Sequence, residues 1–215
     1  MRVRRKSWAP EVLQASKEKG LYIEGPELLK GQWKQLGNHE HVVLEIGSGK
    51  GDYWLNLHLD DPNTLMIGME RVVDVGAIAL KKALEQDLGL NHRFLIDDAE
   101  SLPLFFEEGE LSKIHLNFSD PWPKAAHHKR RLTYPTMLDR YYLLLKGNGE
   151  IIFKTDNEQF YRESLEYFQP SQWLLVYQNE DFRAEEQSDP ITEYERRFMK
   201  KKQPIYRAIW RKKNV

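Results

Sequence analysis

The stretch His41-Val42-Val43-Leu44-Glu45-Ile46-Gly47-Ser48-Gly49-Lys50-Gly51-Asp52 decides the fold of this chain. A short apolar run ending in alternating glycines reads as a buried strand that turns tightly into a helix. Glycine has no Cβ, so it takes backbone angles closed to other residues and lets a ligand approach the main chain. In the dinucleotide fingerprint the third glycine stands one place later, where this chain has Asp52. The spacing therefore argues against a nicotinamide dinucleotide. A lone glycine match of this kind also describes an ordinary strand-helix turn, so its weight comes from the elements around it.

Outward from this loop the chain alternates strand and helix. Residues 52–59 suit a first crossover helix, and 65–69 a second strand buried on both faces. Val73, Ala77, Leu80, Leu84 and Leu88 then fall on one helical face. Residues 93–96 and 114–118 read as the third and fourth strands. Met137, Leu138, Tyr141, Leu144 and Leu145 form a helical stripe that Gly147-Asn148-Gly149 is expected to stop. Residues 151–153 make a fifth strand, and Tyr161, Leu165 and Phe168 a helix ended by Pro170. Two last strands fall at 173–177 and 205–210, around an acidic stretch (179–190) and a short helix from Glu193. Repeated strand-helix units predict an α/β fold, an open, doubly wound, mainly parallel sheet. One domain over residues 1–215 is expected, with residues 1–40 as an N-terminal arm and helix.

Composition narrows the class. At 215 residues and 40% hydrophobic content, the chain can bury one substantial core. It has no cysteine, which removes disulfides and thiolate metal sites and suits a reducing compartment such as the cytoplasm. The start lacks the apolar core of a secretory signal, and no run reaches the length of a membrane span. The net charge is only -1, but the charges are sorted. Cations cluster in residues 2–6, 127–131, 196–202 and 211–213, while acids gather elsewhere. A near-neutral total can thus conceal a basic face, and phosphate recognition depends on local charge. Solvated surface charge is the plainer reading of each run taken singly.

Chemistry is expected beyond the carboxyl ends of the strands. Acids stand there: Glu45 after the first strand, Glu70 after the second, Asp97-Asp98 after the third. A carboxylate after the second strand suits both ribose hydroxyls, and one near the third an adenine amine. The fourth strand runs into Asn117-Phe118-Ser119-Asp120-Pro121-Trp122-Pro123-Lys124, a loop stiffened by prolines on either side of Trp122. Lys129-Arg130-Arg131-Leu132-Thr133-Tyr134 follows, and interleaved aromatic and basic residues suit base stacking and phosphate neutralisation. Asp156 closes the fifth strand in Phe153-Lys154-Thr155-Asp156-Asn157. Thr192-Glu193-Tyr194-Glu195 reads either as part of a substrate site or as a plain helix cap, with Thr192 and Glu195 completing a capping box.

Taken together, Glu-Ile-Gly-Ser-Gly-Lys-Gly (45–51), Asn-Phe-Ser-Asp-Pro-Trp-Pro-Lys (117–124), Lys-Arg-Arg-Leu-Thr (129–133), Phe-Lys-Thr-Asp-Asn (153–157) and Thr-Glu-Tyr-Glu (192–195) resemble the bacterial tRNA (guanine-N7)-methyltransferase family. The likeness runs in order over nearly the whole chain, and the Asp-Pro-Trp segment is far more diagnostic than the glycine loop. It implies a Rossmann-like class I S-adenosylmethionine (SAM)-dependent methyltransferase, whose seven-stranded sheet has an antiparallel last strand. It implies methylation of a guanine in the tRNA variable loop, without a metal. By this likeness Glu45, Gly47, Gly49, Glu70, Asp98 and Asp120 serve SAM, with Asp98 preferred to Asp97 because an acid precedes Ala99. Asp120 is also the candidate catalytic carboxylate. Lys124, Asp156, Thr192, Glu193, Tyr194 and Glu195 serve the substrate, and Ala126, His127, His128, Lys129, Arg130 and Arg131 contact RNA. The segment 124–128 is less basic than in many members of the family. No obligate protein partner is evident, and monomer and homodimer both stay open.

Three other readings compete. An exocyclic-amine methyltransferase would carry a second proline where Trp122 stands. A non-catalytic RNA-binding protein would not need the glycine loop and every strand-end acid. A nucleotide-dependent oxidoreductase is opposed by Asp52.

Overall fold

The structure is a computed structural model that describes residues 5–57, 61–86, 88, 91–186 and 189–213. The first four residues of the Arg-rich arm, and positions 58–59 of the expected first crossover helix, lie outside these. The sheet has seven strands, and the chain divides into two compact units, Met1–Glu107 and Glu108–Val215.

In the first unit, helix α1 (Ala9–Glu18) precedes strand β1 (His41–Ile46), helix α2 (Asp52–Asn56) and strand β2 (Thr64–Met69). Helix α3 (Val73–Leu84), strand β3 (His92–Leu95) and the short helix α4 (Leu102–Phe105) complete it. The strands lie in the order β3-β2-β1, all parallel. All of β2 and β3, and β1 beyond its first residue, are buried, so β1 and β2 are largely apolar without alternation, while β3 buries His92 and Arg93 beside Phe94 and Leu95. The core joins Val43, Met66 and Phe94 of the strands to Trp54, Ala79, Leu80 and Ala83 of α2 and α3. Trp54 sets its ring edge-on to Phe94, with centroids 4.8 Å apart, and donates to the Met66 carbonyl. Helix α2 is shorter than expected: Leu57 is already extended, at ψ 132°. Val73, expected on the buried stripe of α3, is 48% exposed, because it starts the helix beyond the sheet's cover.

The second unit holds strand β4 (Leu111–Asn117), helix α5 (Pro135–Leu144), strand β5 (Leu145–Thr155) and helix α6 (Glu158–Tyr167). Strand β6 (Trp173–Asn179), helices α7 (Phe182–Glu185) and α8 (Glu193–Lys200) and strand β7 (Tyr206–Lys212) follow. The order is β4-β5-β7-β6, with β4 and β5 parallel and β7 antiparallel to both its neighbours. The expected antiparallel last strand is therefore present. The Gly147-Asn148-Gly149 segment does not stop α5, which ends at Leu144; it falls within β5 instead. There the register against β4 slips between Leu111 and Lys113, and Asn148 takes a φ of 61°. Leu145 enters the strand at once, its backbone in register with Leu111 of β4 and its side chain buried. Phe168 lies flat on Trp210 at 3.6 Å, closing the core under β7.

Candidate functional site

The parallel register sets the carboxyl ends of β1, β2 and β3 level, with Ile46 opposite Met69 and Met69 opposite Leu95. Three strand-end acids, Glu45, Glu70 and Asp97, thus meet on one rim of the first unit. The glycine loop folds over that rim. The Gly47 and Ser48 amides both donate to the Met69 carbonyl, at 2.8 and 2.9 Å. Ser48 Oγ donates to the Glu45 carbonyl and accepts from the Met69 amide, each at 3.1 Å. Ser48 was not singled out in the sequence; serine is so common in turns that only this pair of bonds shows it to be the staple of the loop.

Glu70 ties the loop to β2. One of its carboxylate oxygens accepts from the Gly49 amide at 3.1 Å, the other from the Val72 amide at 2.9 Å. A carboxylate has about four lone-pair sites, so about two remain for a ligand's hydroxyl pair. Gly47, Gly49 and Gly51 all have positive φ, yet they do different work. A Cβ on Gly47 would meet no atom within 4 Å, so the space beside that residue is open. A Cβ on Gly51 would strike the Ala79 Cβ at 2.7 Å, so this glycine lets α3 pack. Asp52, where a dinucleotide fingerprint wants glycine, starts α2 and pairs with Lys82, which also donates to the Lys50 carbonyl. Asp98 caps the following turn by accepting from the Glu100 amide at 3.1 Å and lies 3.9 Å from Arg71, while Asp97 accepts from the Asp98 amide. Glu45 is 2% exposed and Asp98 about half exposed, so the two line the rim at different depths.

The second unit gathers the other motifs. Asp120 is exposed at the end of β4, in a loop with two strained points: Phe118 at φ 51° and Trp122 at φ 40°. Non-glycine residues with such angles store roughly 1–3 kcal/mol each and persist only where neighbours fix them. Arg131 is that neighbour for Trp122. Its Nε donates to the Pro121 carbonyl at 2.7 Å, its Nη2 to the Trp122 carbonyl at 3.5 Å, and its Nη1 to Glu163 and the Tyr167 hydroxyl of α6. Arg131, expected at the RNA, is 1% exposed, and its guanidinium is engaged inside the protein. Its neighbour Arg130 is exposed and lies 4.9 Å over the Trp122 ring, with His127 edge-on at 5.8 Å. Lys124, Ala126 and Lys129 are exposed as well, and His128 is half-buried against the Tyr167 hydroxyl at 3.4 Å.

Asp156 ends β5 half-buried, and burial pushes its carboxyl above the usual range against the pull of Lys201. Thr192 and Glu195 form the capping box that the sequence left as one of two readings. Thr192 Oγ1 accepts from the Glu195 amide at 3.0 Å, and Glu195 accepts from the Thr192 amide at 3.2 Å. Glu195 is 0% exposed and also takes Arg183 and Lys154. The carboxylate expected at the substrate is therefore also what ties the start of α8 to Lys154 and Arg183. Lys154 reaches Asp189 at 2.6 Å, and Arg183 approaches the same carboxylate at 3.4 Å. Arg183 and Asp189 escaped the sequence reading because in an acidic, irregular stretch nothing marks them as buried. Tyr194 is exposed, and Glu193 is half-buried and paired with Arg197. Among the described residues no group of His, Asp or Glu is arranged to hold a metal ion.

A family model described as "Putative methyltransferase" matches residues 39–208. The chain is 43% identical to a tRNA (guanine-N(7)-)-methyltransferase of Pediococcus pentosaceus, over 96% of this chain and 98% of that one. It is 44% identical to the protein of that name from Listeria monocytogenes serotype 4b, over 96% of each. Among solved structures, the 16S rRNA methyltransferase KamB aligns with a TM-score of 0.63 at 15% identity, over 86% of this chain and 94% of that one. Geranyl diphosphate C-methyltransferase from Streptomyces coelicolor A3(2), solved with S-adenosyl-L-homocysteine, aligns over the whole of both chains with a TM-score of 0.54 at 12% identity. These structures share the fold, the Rossmann-like class I methyltransferase architecture.

Proposed function

This chain belongs to the tRNA (guanine-N7)-methyltransferase family, and we infer from that premise that it moves the methyl group of SAM to N7 of a guanine in the tRNA variable loop. The product is 7-methylguanosine. The observation that carries the reading is the glycine loop bound to Glu70 with open space over Gly47, in a chain 43–44% identical to proteins of that name over 96% of its length. The cofactor's chemistry is a methyl on a positively charged sulfur, open to displacement. Bound SAM would supply that methyl to N7, the positive charge then resting on the purine and a neutral thioether being the leaving group.

The residues of the first unit fit that cofactor. The spare lone pairs of Glu70 suit the ribose hydroxyls, and Asp98 suits the adenine amine, with Glu45 and the Gly47 and Gly49 main chain closing the rest. Guanine N7 has a free lone pair and no proton, so no general base is needed. Alignment and the placement of charge then carry catalysis. Asp120, on the strained loop, is the catalytic carboxylate in this reading, its role being to contact SAM or to offset charge growing on the purine. Lys124 suits a phosphate rather than a cationic base. Asp156, with the Thr192–Glu195 turn, accepts from N1-H and the N2 amine of guanine and so rejects adenine. His127, Lys129 and Arg130, with the neighbouring Ala126 and His128, meet RNA. No helix among the described residues is long and apolar enough to cross a membrane, and a tRNA substrate suits the cytoplasm.

The test is incubation of the purified protein with methyl-labelled SAM and bulk tRNA, followed by nucleoside analysis. Label in 7-methylguanosine is the expected result. Label on an exocyclic amine would keep the cofactor and overturn the N7 assignment. In Asp120→Ala we expect a loss of turnover of at least about a hundredfold, the scale of one electrostatic stabiliser, with the melting temperature unchanged.

A further inference from the structure

Beyond the Tyr194 turn already given to the guanine, helix α8 carries a basic outer face that none of these roles uses. From 196 to 202 the chain reads Arg-Arg-Phe-Met-Lys-Lys-Lys, five cations and no acid. All five are exposed. Tyr194, one turn earlier, is 53% exposed, and the Arg197 guanidinium lies 5.6 Å from its ring centre. The inner face is locked. Glu195 is clamped by Lys154 and Arg183, and Phe198 stacks on Phe118 with centroids 6.0 Å apart and planes 12° from parallel. Phe118 stands two residues before Asp120, so α8 lies against the root of the Asp120 loop. Lys201 is near enough to Asp156 to lower its pKa.

A helix end welcomes cations because its last carbonyls carry partial negative charge. That accounts for Lys200 and Lys201. It does not account for an exposed tyrosine with an arginine beside its ring, nor for the whole basic face being held beside the Asp120 loop by buried ion pairs. We propose that the outer face of α8 binds the sugar–phosphate backbone of tRNA, as a contact separate from residues 124–130. The proposal rests on tRNA being the substrate. The lysines and arginines neutralise phosphates, next to the Tyr194 turn that takes the guanine. Cations fixed beside the Asp120 loop hold the RNA in register with the guanine to be methylated.

Each neutralised phosphate releases counterions, so it adds about 0.7 to 0.9 to the slope of log affinity against log salt. The experiment measures tRNA binding by the full chain across a salt series, for the parent and for Arg197→Gln/Lys200→Gln/Lys202→Gln. Lys201 is left in place because Asp156 senses it. We expect the slope to become shallower by about 2 to 3 and affinity at moderate salt to fall roughly tenfold or more. SAM affinity should not change, and label should still enter 7-methylguanosine. Lys19→Gln/Lys30→Gln/Lys34→Gln, in the first unit, makes the same change in net charge and should keep the parental slope. A parental slope in the α8 variant, or an equal loss in the control, would overturn the proposal. Should the triple variant melt early, Lys200→Gln and Lys202→Gln are read singly, each expected to take about 0.7 to 0.9 from the slope. A parent that binds SAM but leaves no label in 7-methylguanosine would instead overturn the reading of the reaction.

Discussion

Gly47 and Gly51 share a left-handed backbone, at φ 78° and 81°, and differ in what lies beside them. Alanine at either strains the main chain by about 1 kcal/mol or more. At Gly51 the new methyl also meets the Ala79 Cβ at 2.7 Å, which adds roughly 1–3 kcal/mol of overpacking. Gly51→Ala should therefore melt well below the parent. Gly47→Ala should melt close to it yet bind SAM poorly, since its methyl enters the open space; calorimetry of both variants checks the contrast. Arg131 supports a second residue-scale prediction. Arg131→Ala leaves Glu163 without its guanidinium and frees the strained Trp122, at a cost of roughly 3 kcal/mol. Arg131→Lys keeps the charge but not the planar fork that spans two carbonyls. It should recover much of the melting temperature and little of kcat. Asp156 gives a pH prediction. Burial raises its pKa, so the folded state holds the proton more tightly than the unfolded chain does. Ionisation therefore costs stability as pH rises through the folded value, and Asp156→Asn should be slightly more stable at neutral pH while losing guanine recognition. Lys201→Gln removes the opposing cation, and the acid limb of kcat/KM should move to higher pH.

At the scale of elements, α8 is a helix whose only buried residue is charged. Its order depends on a cap and on buried ion pairs rather than on an apolar stripe. Thr192→Ala should cost about 1 kcal/mol and raise KM for tRNA more than it changes SAM affinity. Lys154→Met removes a cation that is 0% exposed from between Asp189 and Glu195. Losing one partner of a buried pair costs roughly 3–5 kcal/mol, and the loss should appear in the melting temperature of the whole chain. The capping box itself was legible as Thr-x-x-Glu before an amphipathic run. The ion cluster beneath it was not, because Lys154 and Arg183 look like any exposed cation until burial is known. The early end of α5 has a similar cause. Glycines at 147 and 149 signal a stop, but the pairing of Leu145 with Leu111 makes the chain extended sooner.

Across the whole molecule, a formal charge of -1 conceals sorted patches, so tRNA binding should weaken steeply with salt although the protein is nearly neutral. Affinity unchanged between low and moderate salt would contradict this. The sequence by itself determined the class of fold, the glycine loop, the strand-end acids and the Asp-Pro-Trp loop. Each of these is a local matter: period, backbone freedom and residue type over a few neighbouring positions. What only the tertiary structure decided is which side chains of a motif face inward. Arg130 and Arg131 are adjacent and identical, yet one lies over Trp122 in the open and the other is buried holding the backbone of that loop. Glu193 and Glu195 divide in a similar way, one paired with exposed Arg197 and the other with buried Lys154 and Arg183. Burial depends on contacts between residues distant in the chain, such as Arg131 with Glu163 and Lys154 with Asp189 and Glu195, and no local pattern encodes those.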